Sequence, residues 1–250
     1  MVALITGASS GLGYEFAKQL SEKGYDIIAV ARRTDRLLAL ANELSTKVTP
    51  ITADLSNADE CIRVFQETKD KDIDIVINNA GFGLLGEFSE TDLARELEMI
   101  DVNCRASHIL TKLFLSKFLG ENKGYILNIC SVGGFIPGPL LAGYYATKAY
   151  LVSLTRAIQE EIGRSGKNVY IGCVCPGPID TEFNRVAKGS AKIKSRSASE
   201  IAKYSIDKMF RRKPTIIPGI EVKLSALASK FLPVKLMTKI TYNIQKKKLK

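Results

Sequence analysis

Short apolar runs alternate along most of the chain with longer segments in which apolar residues recur at helical spacing. The runs lie at residues 2–5, 26–31, 48–53, 74–78, 124–131 and 169–174, and the longer segments at 14–23, 35–44, 58–68, 91–118 and 144–163. Such runs are typical of parallel strands covered on both faces, and their alternation with helices predicts right-handed crossovers. The pattern therefore predicts an α/β fold in three layers, with a doubly wound parallel sheet between helices. No repeat or linker divides the sequence, so we expect a single domain over residues 1–250.

The last third of the sequence has a different pattern. Residues 182–196 have weak periodicity and contain Gly189 and Ser190, which predicts a mobile loop. Ser197 and Glu200 have the spacing of a capping box, which predicts a helix that runs toward residue 212. Residues 214–250 combine apolar residues at helical spacing with interleaved lysines, and they predict a basic amphipathic C-terminal segment.

Charge is distributed unevenly along the chain. The net charge is +10, but 18 basic and four acidic residues lie from Thr181 onward, so the first 180 residues carry −4. A uniformly basic surface would indicate a nucleic-acid partner, whereas a basic C-terminal third indicates something more local. The basic segment also has few interleaved aromatic residues beyond Phe231 and Tyr242. We therefore expect no nucleic-acid partner.

Cysteine and histidine usage limits the possible chemistry. The five cysteines have no CxxC or zinc-type spacing, and His108 is the single histidine. This cysteine pattern argues against a disulfide framework and fits a reducing compartment. One histidine excludes a His-based metal site and a Ser-His-Asp triad, so we expect no metal. The sequence opens directly into a predicted strand, without a targeting or membrane-spanning segment, and we expect a cytoplasmic protein.

A glycine-rich loop, Thr6–Gly13, joins the first predicted strand to the first predicted helix. Gly7 permits a tight turn, Gly11 lets a pyrophosphate approach the backbone, and Gly13 lets the helix pack closely. The helix N-terminus then offers N–H groups and a positive dipole to phosphates. The loop predicts a dinucleotide-binding site, and a plain strand–helix turn is the alternative.

The residues after the second predicted strand bear on the choice of dinucleotide. A carboxylate here would accept the ribose hydroxyls and repel a 2′-phosphate, but Arg32 and Arg33 stand here and no acid precedes Asp35. Guanidinium groups bind phosphate bidentately, so we predict NADP(H), with a solvated basic turn as the alternative. Asp54, after the third predicted strand, is placed to reach the adenine amino group, or it is a cap or turn residue.

Tyr144 and Lys148 lie one turn apart on a predicted helix, so their side chains share a face. An unperturbed tyrosine pKa of about 10 is too high for acid–base work at neutral pH, and a nearby ammonium lowers it. Ser131 ends the fifth predicted strand, and the glycine loop, residues 78–81 and residues 175–177 follow other strands. Ligands of open α/β sheets bind beyond such strand ends, so one crevice is predicted to contain all of these groups.

These motifs together resemble the short-chain dehydrogenase/reductase family over residues 1–181. The resemblance rests on the glycine loop, Asn78-Asn79-Ala80-Gly81, Asn103, Ser131, the Tyr144/Lys148 pair and Pro176-Gly177. It implies a Rossmann-like fold and an NADP-dependent oxidoreductase that interconverts a ketone or aldehyde and an alcohol by hydride transfer. Tyr144 would be the general acid–base, and Ser131 would orient the substrate oxygen. Lys148 would lower the tyrosine pKa and bind the nicotinamide ribose, and Asn103 would hold a water that links Lys148 to solvent.

The resemblance also implies a set of cofactor contacts. Ile179 and Thr181 would bind the carboxamide and orient the hydride-donating face. The residues expected to contact NADP are Gly7, Ser9, Ser10, Gly11, Leu12, Gly13, Arg32, Arg33, Asp54, Leu55, Asn79, Ala80, Gly81, Tyr144, Lys148, Pro176, Gly177, Ile179 and Thr181. A homodimer through the two long helices, 91–118 and 144–163, is the family expectation.

The remaining sequence bears on the substrate. Residues 182–212 would form a substrate loop and helix, and residues 214–250 are similar to a branch of the family that includes hydroxysteroid and long-chain acyl reductases. A bulky apolar substrate, steroid-like or an acyl chain, is therefore expected. The interleaved lysines also fit weak peripheral membrane contact, and packing on the domain or a second subunit is the alternative. A non-catalytic NADP-sensing or scaffold protein is the rival from another class.

Overall fold

The computed structural model describes residues 1–179, 182, 196–229 and 231–248. Within these residues one sheet contains seven parallel strands: β1 (Val2–Thr6), β2 (Asp26–Ala31), β3 (Val48–Thr52), β4 (Ile73–Asn78), β5 (Tyr125–Ile129), β6 (Tyr170–Val174) and β7 (Thr215–Ile216). Their spatial order is β3-β2-β1-β4-β5-β6-β7. The predicted doubly wound parallel sheet is confirmed. The order in which strands are added to the sheet reverses between β1 and β4, where open α/β sheets bind ligands.

The helices form a layer on each face of the sheet. They are α1 (Gly11–Ser21), α2 (Thr34–Glu43), α3 (Ala58–Thr68), α4 (Leu93–Ile100), α5 (Ser107–Glu121), α6 (Ala142–Ser165), α7 (Ala198–Phe210), α8 (Ile220–Ala228) and α9 (Val234–Lys246). The apolar faces of α1, α2 and α7 share one core with the sheet, and those of α3, α5 and α6 share another. The predicted three layers and single domain are therefore confirmed.

Strand β7 was not predicted. Residues 214–219 were expected to lead into the C-terminal helical segment, but Thr215 and Ile216 pair with Cys173 and Val174 of β6. A two-residue strand between Pro214 and Pro218 is too short to give a periodic signal in the sequence. The segment is a strand because it pairs with β6.

The predicted long helix over 91–118 is interrupted. Its helical path runs from α4 into α5 through a π-helical turn, Asp101–Ala106, which contains Asn103. Such turns occur frequently at functional sites because the extra residue redirects a side chain. Here the redirected side chain is fully buried.

A buried polar network crosses the centre of the sheet. The Asn78 amide donates to Thr111 Oγ1 at 3.0 Å and to Asn128 Oδ1 at 2.9 Å. The Asn128 amide in turn donates to Thr155 Oγ1 at 2.9 Å. Because buried polar groups are costly unless paired, this network fixes β4, β5, α5 and α6 relative to one another.

The C-terminal part continues from the sheet. The predicted capping box is present at the start of α7: Glu200 N–H donates to Ser197 Oγ at 3.2 Å, and Ser197 N–H donates to Glu200 Oε2 at 3.3 Å. The predicted loop over 182–196 lies almost entirely outside the described residues. Among the helices that the structure describes, none is both long enough and apolar enough to cross a membrane.

Candidate active site

A cavity of about 870 Å³ opens at the carboxyl ends of the strands. The predicted site residues that line it are Gly7, Ser9, Ser10, Gly11, Leu12, Arg32, Arg33, Asp54, Leu55, Asn79, Ala80, Gly81, Ser131, Tyr144, Lys148, Pro176, Gly177 and Ile179. Gly13 and Asn103 lie behind this lining, and Thr181 lies outside the described residues. The fold therefore brings the separate strand ends into one crevice.

The glycine loop has the geometry that a dinucleotide requires. Gly7 and Gly11 adopt positive φ of 69° and 56°. A Cβ at Gly13 would lie 2.3 Å from the Gly7 carbonyl oxygen, so no larger residue fits there. The Asn79 amide donates to the Thr6 carbonyl at 2.9 Å, which ties the loop to the end of β4. The backbone of this loop thus faces the cavity, and larger residues in place of its glycines would fill the space beside it.

Arg33 lies at the centre of an anion-binding cluster. Its guanidinium donates to Ser9 Oγ at 3.1 Å and to Ser10 Oγ at 2.9 Å. It also donates to a carboxylate oxygen of Glu182 at 3.0 Å, and Arg36 donates to the same carboxylate at 2.9 and 3.0 Å. Two guanidinium groups therefore converge on one carboxylate, and two hydroxyls hold the first of them in place.

The anion in this cluster is the Glu182 carboxylate. The hydrogen bonds from Arg36 and then Arg33 lower the pKa of Glu182 to about 2. The carboxylate is therefore ionised at neutral pH, and its two oxygens are bound as oxygens of a phosphate would be. Arg36 lies three residues after Arg33, and the sequence analysis missed this spacing. Glu182 is far away in sequence and gave no signal.

Arg32 differs from Arg33 in its partner. It lines the cavity, but its guanidinium pairs with Glu98 of α4 at 2.8 Å. Its role as a phosphate ligand stays a prediction. Asp54 also lines the cavity, and its carboxylate accepts from the backbone N–H and hydroxyl of Ser56 at 3.0 and 2.9 Å. It is thus a turn residue whose predicted contact with adenine stays a prediction.

Tyr144 and Ser131 face each other at the cavity. Ser131 follows β5 in an extended conformation, and its Oγ accepts from the Gly133 N–H at 3.1 Å. Burial raises the pKa of Tyr144, and a hydrogen bond with Ser131 partly opposes this shift. The direction differs from the sequence-based expectation, in which Lys148 lowers the tyrosine pKa. The reason is that burial is the largest influence on this pKa, while Lys148 Nζ, 5.8 Å from the ring centroid, donates to the Ile129 carbonyl.

Lys148 is held at the base of the cavity. Its side chain is buried, and Nζ donates to the Ile129 carbonyl at 2.8 Å. Burial lowers the pKa of Lys148 because the charged form loses its hydration. A Cβ at Gly81 would lie 3.4 Å from Nζ and 2.8 Å from Asn103 Oδ1, so glycine is needed where these two side chains approach.

Asn103 lies next to Lys148 and links three segments. Its amide donates to the Phe82 carbonyl at 2.9 Å and to Thr147 Oγ1 at 3.0 Å, and its Oδ1 accepts from the Phe82 N–H at 3.0 Å. These bonds fix the chain after β4 against α6. Asn103 therefore positions the residues around the site.

The C-terminal helices form the outer wall of the same cavity. Residues of α8 and α9 that line it include Val222, Ala226, Met237, Ile240 and Ile244. The Gln245 amide donates to the Tyr145 hydroxyl at 2.7 Å, which ties α9 to α6. Tyr145 has no lysine four residues later, and Gln245 is 100 residues away in the sequence, so this pair gave no signal.

The fold also brings three buried thiols together. The sulfur atoms of Cys130, Cys173 and Cys175 lie within 4.8 Å of one another. Linear spacing gave no sign of this group, because Cys130 directly follows β5, whereas Cys173 lies in β6 and Cys175 directly follows it. They pack with Leu151 and Val152 in a small apolar cluster, so we assign them to the core.

Known proteins are similar to this chain in sequence and in fold. The model of a family described as short chain dehydrogenase matches residues 1–191. An uncharacterized oxidoreductase of Staphylococcus epidermidis is 36% identical over 183 residues, which are 72% of this chain and 78% of that protein. A very-long-chain 3-oxoacyl-CoA reductase of Phaeosphaeria nodorum is 33% identical over 223 residues, and the match covers 84% of this chain and 63% of that protein. A solved short-chain dehydrogenase from Sphingobium yanoikuyae in complex with NADPH superposes with a TM-score of 0.84 at 29% identity, covering 92% of this chain and 93% of that one.

Proposed function

The chain belongs to the short-chain dehydrogenase family of oxidoreductases, and we propose that it interconverts an apolar ketone or aldehyde and the corresponding alcohol with NADP(H). The observation that carries the proposal is the convergence of Ser131, Tyr144 and Lys148 on the cavity that the glycine loop also lines. When bound, the dinucleotide would supply or accept the hydride. The residues of the chain would orient the substrate and transfer the proton.

Tyr144 is the proton donor for reduction in this proposal. Burial raises its pKa, so the phenol is protonated at neutral pH and can donate to the oxygen of the carbonyl as negative charge develops there. Ser131 would hold that oxygen, since its hydroxyl is next to the phenol. Lys148 would bind the nicotinamide ribose, and Asn103 would hold the neighbouring backbone and a water in place.

The preference for NADP(H) rests on the cluster around Arg33. Arg33 and Arg36 bind the carboxylate of Glu182, Ser9 and Ser10 accept from Arg33, and a 2′-phosphate offers the same kind of oxygen acceptors with more charge. Arg32 is proposed as a further, outer contact. The NADPH complex of the Sphingobium protein supports the choice of a phosphorylated dinucleotide.

The substrate class follows from the wall of the cavity. Ile136 and Leu141 line one side, and apolar residues of α8 and α9 line the other. Such a lining favours a bulky apolar chain or ring system over a small polar ketone. The likeness to a very-long-chain 3-oxoacyl-CoA reductase supports an acyl chain, and a steroid-like ketone fits the same chemistry.

We also propose a cytoplasmic homodimer. Leu93, Leu97 and Ile100 of α4 are exposed at helical spacing, and Tyr150 of α6 is exposed nearby in the same helical layer. This apolar stripe lies on the two long helices through which a dimer was expected. Light scattering after size exclusion should give twice the chain mass, and Leu97→Glu should return the monomer.

The test of the catalytic role replaces Tyr144 with Phe. We expect turnover of an apolar ketone to fall by about 10²- to 10⁴-fold, because the proton donor is lost, while NADPH still binds. Tyr150→Phe is the matched control on the same helix, and it should keep turnover. Full activity in Tyr144→Phe would reject the proposed mechanism. Binding of NADPH without any turnover in the unaltered protein across a ketone panel would favour the sensing rival.

The test of cofactor preference is a fluorescence titration with NADPH and NADH side by side. Arg33→Ala and Arg36→Ala should each weaken NADPH binding by about tenfold to a hundredfold, because a charged hydrogen bond to phosphate is lost. Binding of NADH should change little. Equal losses for both dinucleotides would show that the arginines support the loop rather than read the 2′-phosphate.

A further inference from the structure

Helix α8 has two apolar faces, and within the part of the chain that the structure describes one of them faces the cavity while the other is exposed. Val222 and Ala226 point toward the cavity. Ile220, Leu224 and Leu227 follow at i, i+4 and i+7 on another stripe, and they are 72%, 61% and 52% exposed. A helix that only covered the cavity would carry polar residues on that outer stripe.

The exposed apolar stripe continues beyond α8. Phe231, in the connection to α9, is 80% exposed, and Val234 and Leu236 at the start of α9 are 66% and 45% exposed. We call these three side chains, together with Ile220, Leu224 and Leu227 of α8, the C-terminal apolar surface. Contiguous exposed apolar surface of this kind marks an interaction site.

Helix α9 packs against the domain through a different face from the C-terminal apolar surface. Met237, Thr241 and Gln245 are buried at a spacing of four residues, and the Gln245 amide is bonded to Tyr145. The inner face of α9 is therefore satisfied by the domain. The C-terminal apolar surface is left for a partner.

Charge identifies the kind of partner. Residues 220–250 contain eight lysines and a single acid, Glu221. Lys235 and Lys239 are exposed on α9 beside Leu236. A second copy of the chain meeting this surface face to face would place lysines against lysines. An anionic lipid surface would instead accept the apolar side chains and neutralise the lysines.

We propose that the C-terminal apolar surface docks the protein on an anionic lipid bilayer. The apolar side chains enter the headgroup boundary, and the flanking lysines contact the lipid phosphates. Because α8 and α9 also wall the cavity, the docked protein faces the membrane with the elements that line its substrate site. Uptake of an apolar ketone from the lipid is a consequence that rests on the proposed function, whereas docking does not.

Co-sedimentation with lipid vesicles tests the docking without any enzyme assay. The full chain should sediment with vesicles of phosphatidylglycerol and phosphatidylcholine, bind vesicles of pure phosphatidylcholine weakly, and be released by salt. Leu224→Gln with Leu227→Gln should weaken binding by at least about tenfold, because two inserted apolar side chains are lost. Lys235→Glu with Lys239→Glu should weaken it by about fivefold or more per lysine.

The matched control is Leu38→Gln with Ile62→Gln. These residues are 51% and 43% exposed on α2 and α3, so the change is chemically similar and lies elsewhere. The control should bind vesicles like the unaltered chain. Undiminished binding by the Leu224/Leu227 variant would overturn the proposal. So would absence of vesicle binding combined with an oligomer that this variant dissolves, since the surface would then join two copies. Vesicle binding by a chain that reduces no ketone would leave docking intact and reject the proposed function alone.

Discussion

Residues 1–179 and residues 196–248 contribute to one cavity in different ways. In the first region Lys148 and Asn103 are buried and hydrogen-bonded: Lys148 donates to a backbone carbonyl, and Asn103 bonds to two segments. In the second region half of the residues that line the cavity are apolar. There Gln245 supplies a hydrogen bond that ties α9 to α6, the helix that contains Tyr144 and Lys148.

This difference separates what the family determines from what it leaves open. Proton transfer requires atoms fixed within tenths of an ångström, and the first region provides this with a buried polar network beneath the site. Recognition of an apolar substrate requires only shape and area. The match to the family ends at residue 191, before α8 and α9 begin. The family assignment therefore rests on the first region, and the proposed substrate class rests largely on the second.

The sharpest test of the comparison makes the same change in both regions. Lys148→Met should lower turnover by about 10²- to 10⁴-fold, because the buried ammonium beside Tyr144 is lost. Lys223→Met, on the exposed side of α8, should leave turnover unchanged in the absence of lipid. Steady-state kinetics with saturating NADPH would measure both, and thermal unfolding would check that each variant is folded. Similar losses in the two variants would mean that the regions are not separable.

Removing α9 tests whether the first region is complete without the second. A chain that ends at Pro233 should bind NADPH normally and reduce a small ketone at a similar rate. The KM for a bulky apolar ketone should rise by about tenfold to a hundredfold, because the wall provided by Met237 and its neighbours is lost. Loss of NADPH binding in the shortened chain would show that α9 supports the cofactor site as well.

The features that could be predicted from the sequence lie mostly in the first region. Parallel strands are buried on both faces, so their apolar runs identified six strands and the strand-end residues that meet at the crevice. The Tyr144/Lys148 spacing and the position of Ser131 predicted that these three side chains meet at one crevice, and all three line one cavity. What could be predicted depended on local pattern, which is strongest in the buried sheet.

Features that depend on distant partners were not predicted. Strand β7 exists because β6 offers it a partner, and Glu182 reaches Arg33 across most of the chain. The direction of the Tyr144 pKa shift depends on burial, which a sequence does not show quantitatively. Arg36 is the exception, because its spacing from Arg33 at the start of a helix could have placed both guanidinium groups together.

Glu182 offers a test of a smaller effect between the regions. Its carboxylate occupies the anion cluster, so NADPH must displace it, and Glu182→Gln should strengthen NADPH binding by about threefold to tenfold. The pKa of Glu182 is lowered to about 2, so its contact with the arginines is complete above the unfolded pKa of about 4.3 and is lost as pH falls toward 2. The gain in NADPH affinity caused by Glu182→Gln should therefore not change between about pH 6 and 8. Titration of both proteins at several pH values would measure it, and NADH binding should not respond. Weaker NADPH binding in Glu182→Gln would mean that the carboxylate organises the cluster.

The smallest expected effect concerns the hydrogen bond between Tyr145 and Gln245. Tyr145→Phe would leave the buried Gln245 amide without this partner, at a cost of about 1–3 kcal/mol, and the melting temperature should fall by about 2–4 °C per kcal/mol. Gln245→Leu should cost a similar amount. The double variant should be more stable than the sum of the single effects predicts, because no buried polar group is then left unpaired. Thermal unfolding of the four proteins measures this coupling, and the KM for a bulky ketone should rise in each single variant while turnover of a small ketone is kept. Strict additivity would mean that α9 is seated by its apolar contacts alone, and the two regions would then be joined by packing rather than by a specific polar bond.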